Sequence, residues 1–253
     1  YGTPGRTWRP LVDTTNDPIV ANRAPQAWRS WQRSEDYYSE GLLIWTDVDR
    51  IIRTQSLGRK SIDDFARAFF GMRNHDYGEL TYTFEDVVQT LNAVQPYDWD
   101  NYLRTKVLDV SSSPPLDGLT KGGYDLVFTE EPTAWIKSYE KSSKSNDLTY
   151  SGGFVVGNDG KITSVLWDSA AFNAGMTVGS ELLAVNGRKF DGDGLKAAIK
   201  AGKSTNAPVK LLVKSGEVYR TLDLDWHGGL RYPRLQKAAK GQGTLDALLA
   251  PKK

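Results

Sequence analysis

From Ser34 onward apolar residues recur at steps of three and four, with Leu42, Trp45, Val48, Ile51 and Ile52 on one face. The spacing predicts a long helix capped by Ser34, with Glu35 and Asp36 suited to its positive end, stopping near Gly58. The next helix opens on Ser61-Ile-Asp-Asp64, a capping box with Asp in place of Glu, and stops at Gly71. Thr83 with Asp86 opens a third, with Phe84, Val87, Val88 and Leu91 inward, closed by Pro96, and Asp98 caps a fourth through Trp99, Tyr102, Leu103 and Val107. Before them, residues 1–33 show neither period, and their tryptophans predict an ordered loop segment anchored by aromatic burial. Leu116 and Leu119 predict a short packed turn, and 124–139 reads as loosely alternating strand.

Beyond the polar run 140–147 the pattern becomes short strands and tight turns. Strands are expected at 152–156, 161–167 and 180–185, with turns at Asn158-Asp-Gly160 and Asn186-Gly187. Short helices are expected at 168–175 and 194–201, and a closing hairpin joins 209–213 to 219–225. The expected fold class is α+β: a mainly α-helical domain over 1–147, with a strand segment at 124–139, then a small β domain with two helices over 148–228 and a tail over 229–253. The tail's Leu245, Leu248 and Leu249 are placed to dock back on the helices.

Composition narrows the chemistry. The 253 residues carry 32 basic against 31 acidic side chains without a basic stripe, so nucleic acid is not an expected partner. Zero cysteines exclude disulfides, thiolate metal sites and a cysteine nucleophile. No apolar run approaches the ~18 residues of a membrane span. The start lacks Met and a signal-peptide pattern, so the chain is expected to begin inside a longer protein. Only His75 and His227 offer imidazole, about 150 positions apart, and H-E-x-x-H is absent. No metal site or cofactor is therefore expected in this chain.

Asp168–Gly187 (DSAAFNAGMTVGSELLAVNG) resembles the signature of a PDZ domain, and the resemblance covers 148–226. It implies a small β-barrel in which Ser151-Gly152-Gly153-Phe154 forms a loop whose N–H groups accept a peptide's C-terminal carboxylate, the peptide adding as a strand beside Phe154–Val156. Phe154 and Val156 would wall a pocket from the strand side and Leu195 and Ile199 from the helix side, favouring an apolar last residue. The adjacent glycines agree physically, since they let several N–H groups face one anion. The bland alternative is a Gly-Gly bend with Leu195 and Ile199 in the core.

Over nearly the full length, Trp28-Arg-Ser-Trp31, Glu35-Asp-Tyr-Tyr38, Gly41-Leu-Leu-Ile44, Asp47-Val-Asp49 and Ser61–Arg67 resemble the C-terminal portion of glycyl-aminopeptidase-type metallopeptidases, the gluzincins of peptidase family M sixty-one. The resemblance implies the back half of a thermolysin-like catalytic domain followed by a PDZ domain. It further implies zinc in the full-length parent, a missing N-terminal part as partner, and a periplasmic or secreted location. Tyr38, three residues before Gly41, matches the tyrosine that stabilises the tetrahedral oxyanion, with Tyr37 as the competing choice. Glu35 and Glu40 read as a helix-dipole partner and a solvated side chain. The family's zinc ligands and general base have no counterpart here, so the chain is expected to be inactive alone. The alternative is a noncatalytic PDZ-type peptide-binding or scaffold protein.

Overall fold

The computed structural model describes residues 3–21, 28–73, 75–238 and 243–251. In chain order the helices are α1 (Asp17–Val20), α2 (Arg29–Gln32), α3 (Asp36–Gln55), α4 (Ile62–Phe70), α5 (Phe84–Val94), α6 (Trp99–Leu108), α7 (Asp117–Thr120), α8 (Ala134–Ser143), α9 (Ala170–Asn173), α10 (Gly192–Ala201) and α11 (Thr244–Leu249). The strands are β1 (Tyr124–Thr129), β2 (Ser145–Leu148), β3 (Phe154–Gly157), β4 (Ile162–Val165), β5 (Glu181–Val185), β6 (Arg188–Lys189), β7 (Val209–Ser215), β8 (Val218–Leu224) and β9 (Tyr232–Lys237). They form three sheets, β1-β9, β2-β3-β4 and β6-β5-β7-β8. Two compact units result, one of Tyr1–Gly5, Ala24–Ser34 and Val127–Arg234, the other of Arg6–Arg23, Glu35–Leu126 and Leu235–Lys253.

The second of these is the helical unit. Its core joins Ile44, Val48, Ile51 and Ile52 of α3 to Phe65, Phe69, Leu91, Trp99 and Leu103. Both capping boxes form as the sequence predicts, Ser61 with Asp64 and Thr83 with Asp86. Ser34 does not cap α3: Glu35 takes that place, and its side chain makes no capping hydrogen bond. On α3 the buried Asp47 accepts from the Arg50 guanidinium at 2.6 Å and from the Tyr102 hydroxyl at 2.7 Å. Asp49 accepts from Arg53 at 2.6 Å and from the Ile62 backbone at 2.9 Å, tying α3 to the start of α4. In the tail, Leu245 of α11 is buried, and Asp246 accepts from the Tyr124 hydroxyl at 2.6 Å and from Lys237 at 2.8 Å.

The other unit takes in residues 127–147 as well as those beyond 148, together with Tyr1–Gly5 and Ala24–Ser34, and two readings change with it. The segment read as strand to 139 is strand only to Thr129, because Thr133 caps Ile136 and opens α8. The polar residues 145–147 and the apolar Leu148 then form β2, which pairs antiparallel with β3 from Ser145↔Gly157 to Leu148↔Phe154. The expected barrel does not close, since β2-β3-β4 and β6-β5-β7-β8 are separate open sheets. Their shared core contains Leu148, Phe154, Val156, Ile162, Leu182, Leu195, Ile199 and Leu211. Trp28 and Trp31 pack against Trp167 with ring centroids 5.5 and 4.9 Å apart, and the Ser30 hydroxyl accepts the Trp167 N–H at 2.8 Å. Trp28 and Trp31 are thus anchored as the sequence predicts, whereas Trp8 is 48% exposed.

Candidate functional site

The sequence points to two places in the chain. On α3, the neighbours Tyr37 and Tyr38 touch with ring centroids 4.4 Å apart but differ in burial. Tyr37 packs against the helical core and borders an apolar cleft of about 270 Å³ with Gly41, Trp45, Phe84 and Leu103. Tyr38 is 65% exposed, so its phenol faces water and is free to meet a group from outside the unit. Leu42 and Trp45, expected on the apolar face with Val48, Ile51 and Ile52, are instead exposed at 69% and 37%, so the buried stripe of α3 runs through Ile44, Val48, Ile51 and Ile52. Glu40 lies elsewhere on the helix and is not the solvated side chain expected: it is buried against Arg6 at 2.9 Å. Arg6 comes from a segment without a readable period, so no local signal pointed to this pair.

The second place is the loop between β2 and β3. Gly152 and Gly153 sit at φ +135° and +95°, in the region that favours glycine. A Cβ on Gly153 would lie 2.1 Å from the Ser169 side chain, so the loop leaves no room for one. Ser151 is fully buried, and its hydroxyl exchanges hydrogen bonds with the Arg231 backbone, accepting its N–H at 2.8 Å and donating to its carbonyl at 3.2 Å. The N–H groups of Ser151 and Gly153 converge, at 2.9 and 3.0 Å, on one acceptor, the carbonyl oxygen of Leu148. The predicted loop therefore does gather N–H groups, but it has them turned on its own chain.

The rest of the expected groove is corrected in the same way. Phe154, Val156, Leu195 and Ile199 come together as predicted, yet each is fully buried, with Leu148 in the same core. The strand edge at Phe154–Val156 is not open, because β3 pairs with β4 on one side and β2 on the other. Glu140 of α8 holds β2 from outside: its carboxylate accepts the Asp147 N–H at 2.9 Å and the Lys196 ammonium of α10 at 2.8 Å. Sequence reasoning missed Leu148, Glu140 and Lys196. Leu148 was visible as the sole apolar residue of its strand, whereas the Glu140–Lys196 pair joins positions no local pattern relates.

A zinc site asks for three or more converging donors, commonly imidazole, thiolate or carboxylate. Among the described residues no cluster of three His, Cys, Asp or Glu could hold a metal ion, and so the residues present do not fit zinc. His75 is exposed on a loop at φ +66°. His227 lies between the Gly202 carbonyl at 3.0 Å and the Asp225 carboxylate at 2.9 Å. Those two acceptors, the carbonyl first, raise its pKa. Among the described residues no helix is long and apolar enough to cross a membrane.

No family model matches the sequence, and no curated protein matches it. Among solved structures the chain is similar to the aminopeptidase N family protein from Idiomarina loihiensis, at 16% identity and a TM-score of 0.66, over 98% of this chain and 43% of that one. The chain thus spans less than half the length of that neighbour. A shorter neighbour is the HtrA3 PDZ domain bound to a phage-derived ligand (FGRWV), at 16% identity and a TM-score of 0.23, over 45% of this chain and 84% of that one. What the protein shares with the longer neighbour, along almost its whole described length, is a mixed α and β fold.

Proposed function

We propose that the chain is the C-terminal portion of a zinc-dependent aminopeptidase of the glycyl-aminopeptidase type, lacking the metal site itself. The observation that supports it most is the likeness in fold to an aminopeptidase N family protein over 98% of this chain but 43% of the neighbour. Tyr38 is the residue with a role in the reaction. A neutral phenol donates one directed hydrogen bond, which suits the oxyanion of a tetrahedral intermediate, and its 65% exposure leaves that donor available. The zinc, its ligands and the general base would belong to the part of the parent outside this sequence.

Two measurements test this reading. The 253-residue chain should hydrolyse no aminoacyl p-nitroanilide and retain no zinc after dialysis, whereas stoichiometric zinc with chelator-sensitive hydrolysis would overturn its inactivity. In the longer parent, Tyr38→Phe should lower kcat about 10²-fold with zinc content and fold intact, and an unchanged kcat removes Tyr38 from the mechanism. An intact mass from the native source matching 253 residues sinks the fragment reading.

A noncatalytic peptide-binding or scaffold protein is the second reading. It is favoured by the convergence of the Ser151 and Gly153 N–H groups on one oxygen at the end of a paired strand.

A further inference from the structure

We infer that Ser145–Leu148 is an internal ligand, a strand of the chain's own that fills a slot shaped for an added peptide ending in an aliphatic residue and keeps it shut. This rests on the peptide-binding reading and adds its regulation. Strand β2 is a poor strand by composition: Ser, Asn and Asp disfavour extended pairing, and only Leu148 brings apolar area. Its conformation therefore comes from what surrounds it, and those surroundings have four parts. The ladder of β3 supplies pairing from Ser145↔Gly157 to Leu148↔Phe154. Phe154, Val156, Leu195 and Ile199 supply an apolar pocket whose core includes Leu148. The glycine loop supplies two N–H groups to the Leu148 carbonyl, the grip a terminal carboxylate would use more strongly. At the start of α10, Gly192 lets Asn146 approach so closely that a Cβ there would lie 2.5 Å from the Asn146 side-chain oxygen.

What keeps the strand in place is also visible. Glu140 accepts from the Asp147 backbone and from Lys196 at once, so one carboxylate joins α8, β2 and α10. The connection from Leu148 to Phe154 is short, so β2 competes with any free peptide at an effective concentration in the millimolar range or above. The intact chain is therefore closed to peptides, and binding begins when the α8–β2 segment is released.

The test uses the full chain and the acetylated tetrapeptide Ser-Asn-Asp-Leu, a copy of β2 ending in a free carboxylate, with its C-terminal amide as control. Amide shifts at Gly152, Gly153 and Phe154 report binding, and hydrogen exchange at Asn146 and Leu148 reports release. Glu140→Ala should raise exchange at β2 and tighten the tetrapeptide at least about tenfold over the wild-type chain, with the amide form weaker. Leu148→Ala is the second opening variant and should act the same way. Asp147 and Val155 face each other, and the outward Asp147 N–H marks theirs as a non-hydrogen-bonded pair, the closer kind. In this cysteine-free chain Asp147→Cys with Val155→Cys gives one disulfide. Added to Glu140→Ala, it should abolish binding when oxidised and restore it when reduced.

Unchanged exchange at β2 in both opening variants overturns the proposal, as does equal binding in the wild-type or the oxidised chain. Release of β2 without peptide shifts overturns the peptide-binding reading and the proposal together.

Discussion

Leu195→Ala separates a filled pocket from an open one by energy alone. Leu195 is fully buried on the inner face of α10, in the core that contains Leu148, Phe154 and Ile199. Truncation removes three carbons, worth ~2.4 kcal/mol at ~0.8 kcal/mol each. The surrounding side chains are themselves buried and paired into sheets, so the hole collapses only in part. A residual cavity of about 40–60 Å³ then adds roughly 1–1.5 kcal/mol. The expected loss is about 3–4 kcal/mol. A leucine walling an open, wet groove would already be half solvated and would cost about 1 kcal/mol. Urea unfolding followed at the Leu182 and Leu211 amides reads this unit alone, and Ile199→Val should fall in the same series at about 1 kcal/mol. A Leu195→Ala loss under about 1 kcal/mol, with the urea slope unchanged, would refute the placement of Leu195 in a closed core and with it the filled slot.

Three further outcomes are expected. Gly153→Ala should cost at least about 2 kcal/mol, because φ is +95° and the new Cβ would lie 2.1 Å from Ser169; a smaller loss in the same urea assay counts against the loop geometry. Ser61→Ala should cost about 1 kcal/mol by breaking the capping box of α4, measured at an amide of the helical unit, and no change would remove the cap from the account. The raised pKa of His227 means its contribution is full below about pH 6.5 and is lost as pH rises through the higher folded-state value. His227→Gln should therefore flatten the fall in melting temperature as pH rises above about 6.5, and an unchanged profile removes the effect.

The helices were legible where the signal was local. Ser61 with Asp64 and Thr83 with Asp86 announce their helices in four residues, and the three-and-four spacing of α3 needs no partner to be seen. The beginning of α8 was misread because Trp135, Ile136 and Tyr139 are strand-favouring residues while the decisive cap, Thr133, is a single oxygen. Strand β2 was missed for the opposite reason: Ser145–Asp147 carry no strand signal, and β3 imposes the conformation. The same distinction governs the candidate site. Gly152 and Gly153 gave away a special backbone, and Phe154, Val156, Leu195 and Ile199, read as the walls of a pocket, lie in one buried core. Whether the edge beside them was free depended on a strand five residues upstream of the loop's end and on the Glu140–Lys196 pair, which the sequence does not rank above any other pairing of opposite charges. For the two tyrosines the motif spacing favoured Tyr38 over Tyr37, and the difference in burial, Tyr38 exposed and Tyr37 packed on the helical core, was not legible in it.

The interleaving of the two units sets an order in time. Val127–Arg234 lies between the helices of the other unit and the tail that completes them, so α3 leaves the ribosome long before α11 exists. At about 5–20 residues per second, roughly 10–40 s separate the synthesis of Gln55 from that of Thr244. Through that interval the ground that α11 will cover on α3 stays bare, and Tyr124 waits for Asp246. The helical unit is therefore completed only once α11 has been made, after the whole of Val127–Arg234.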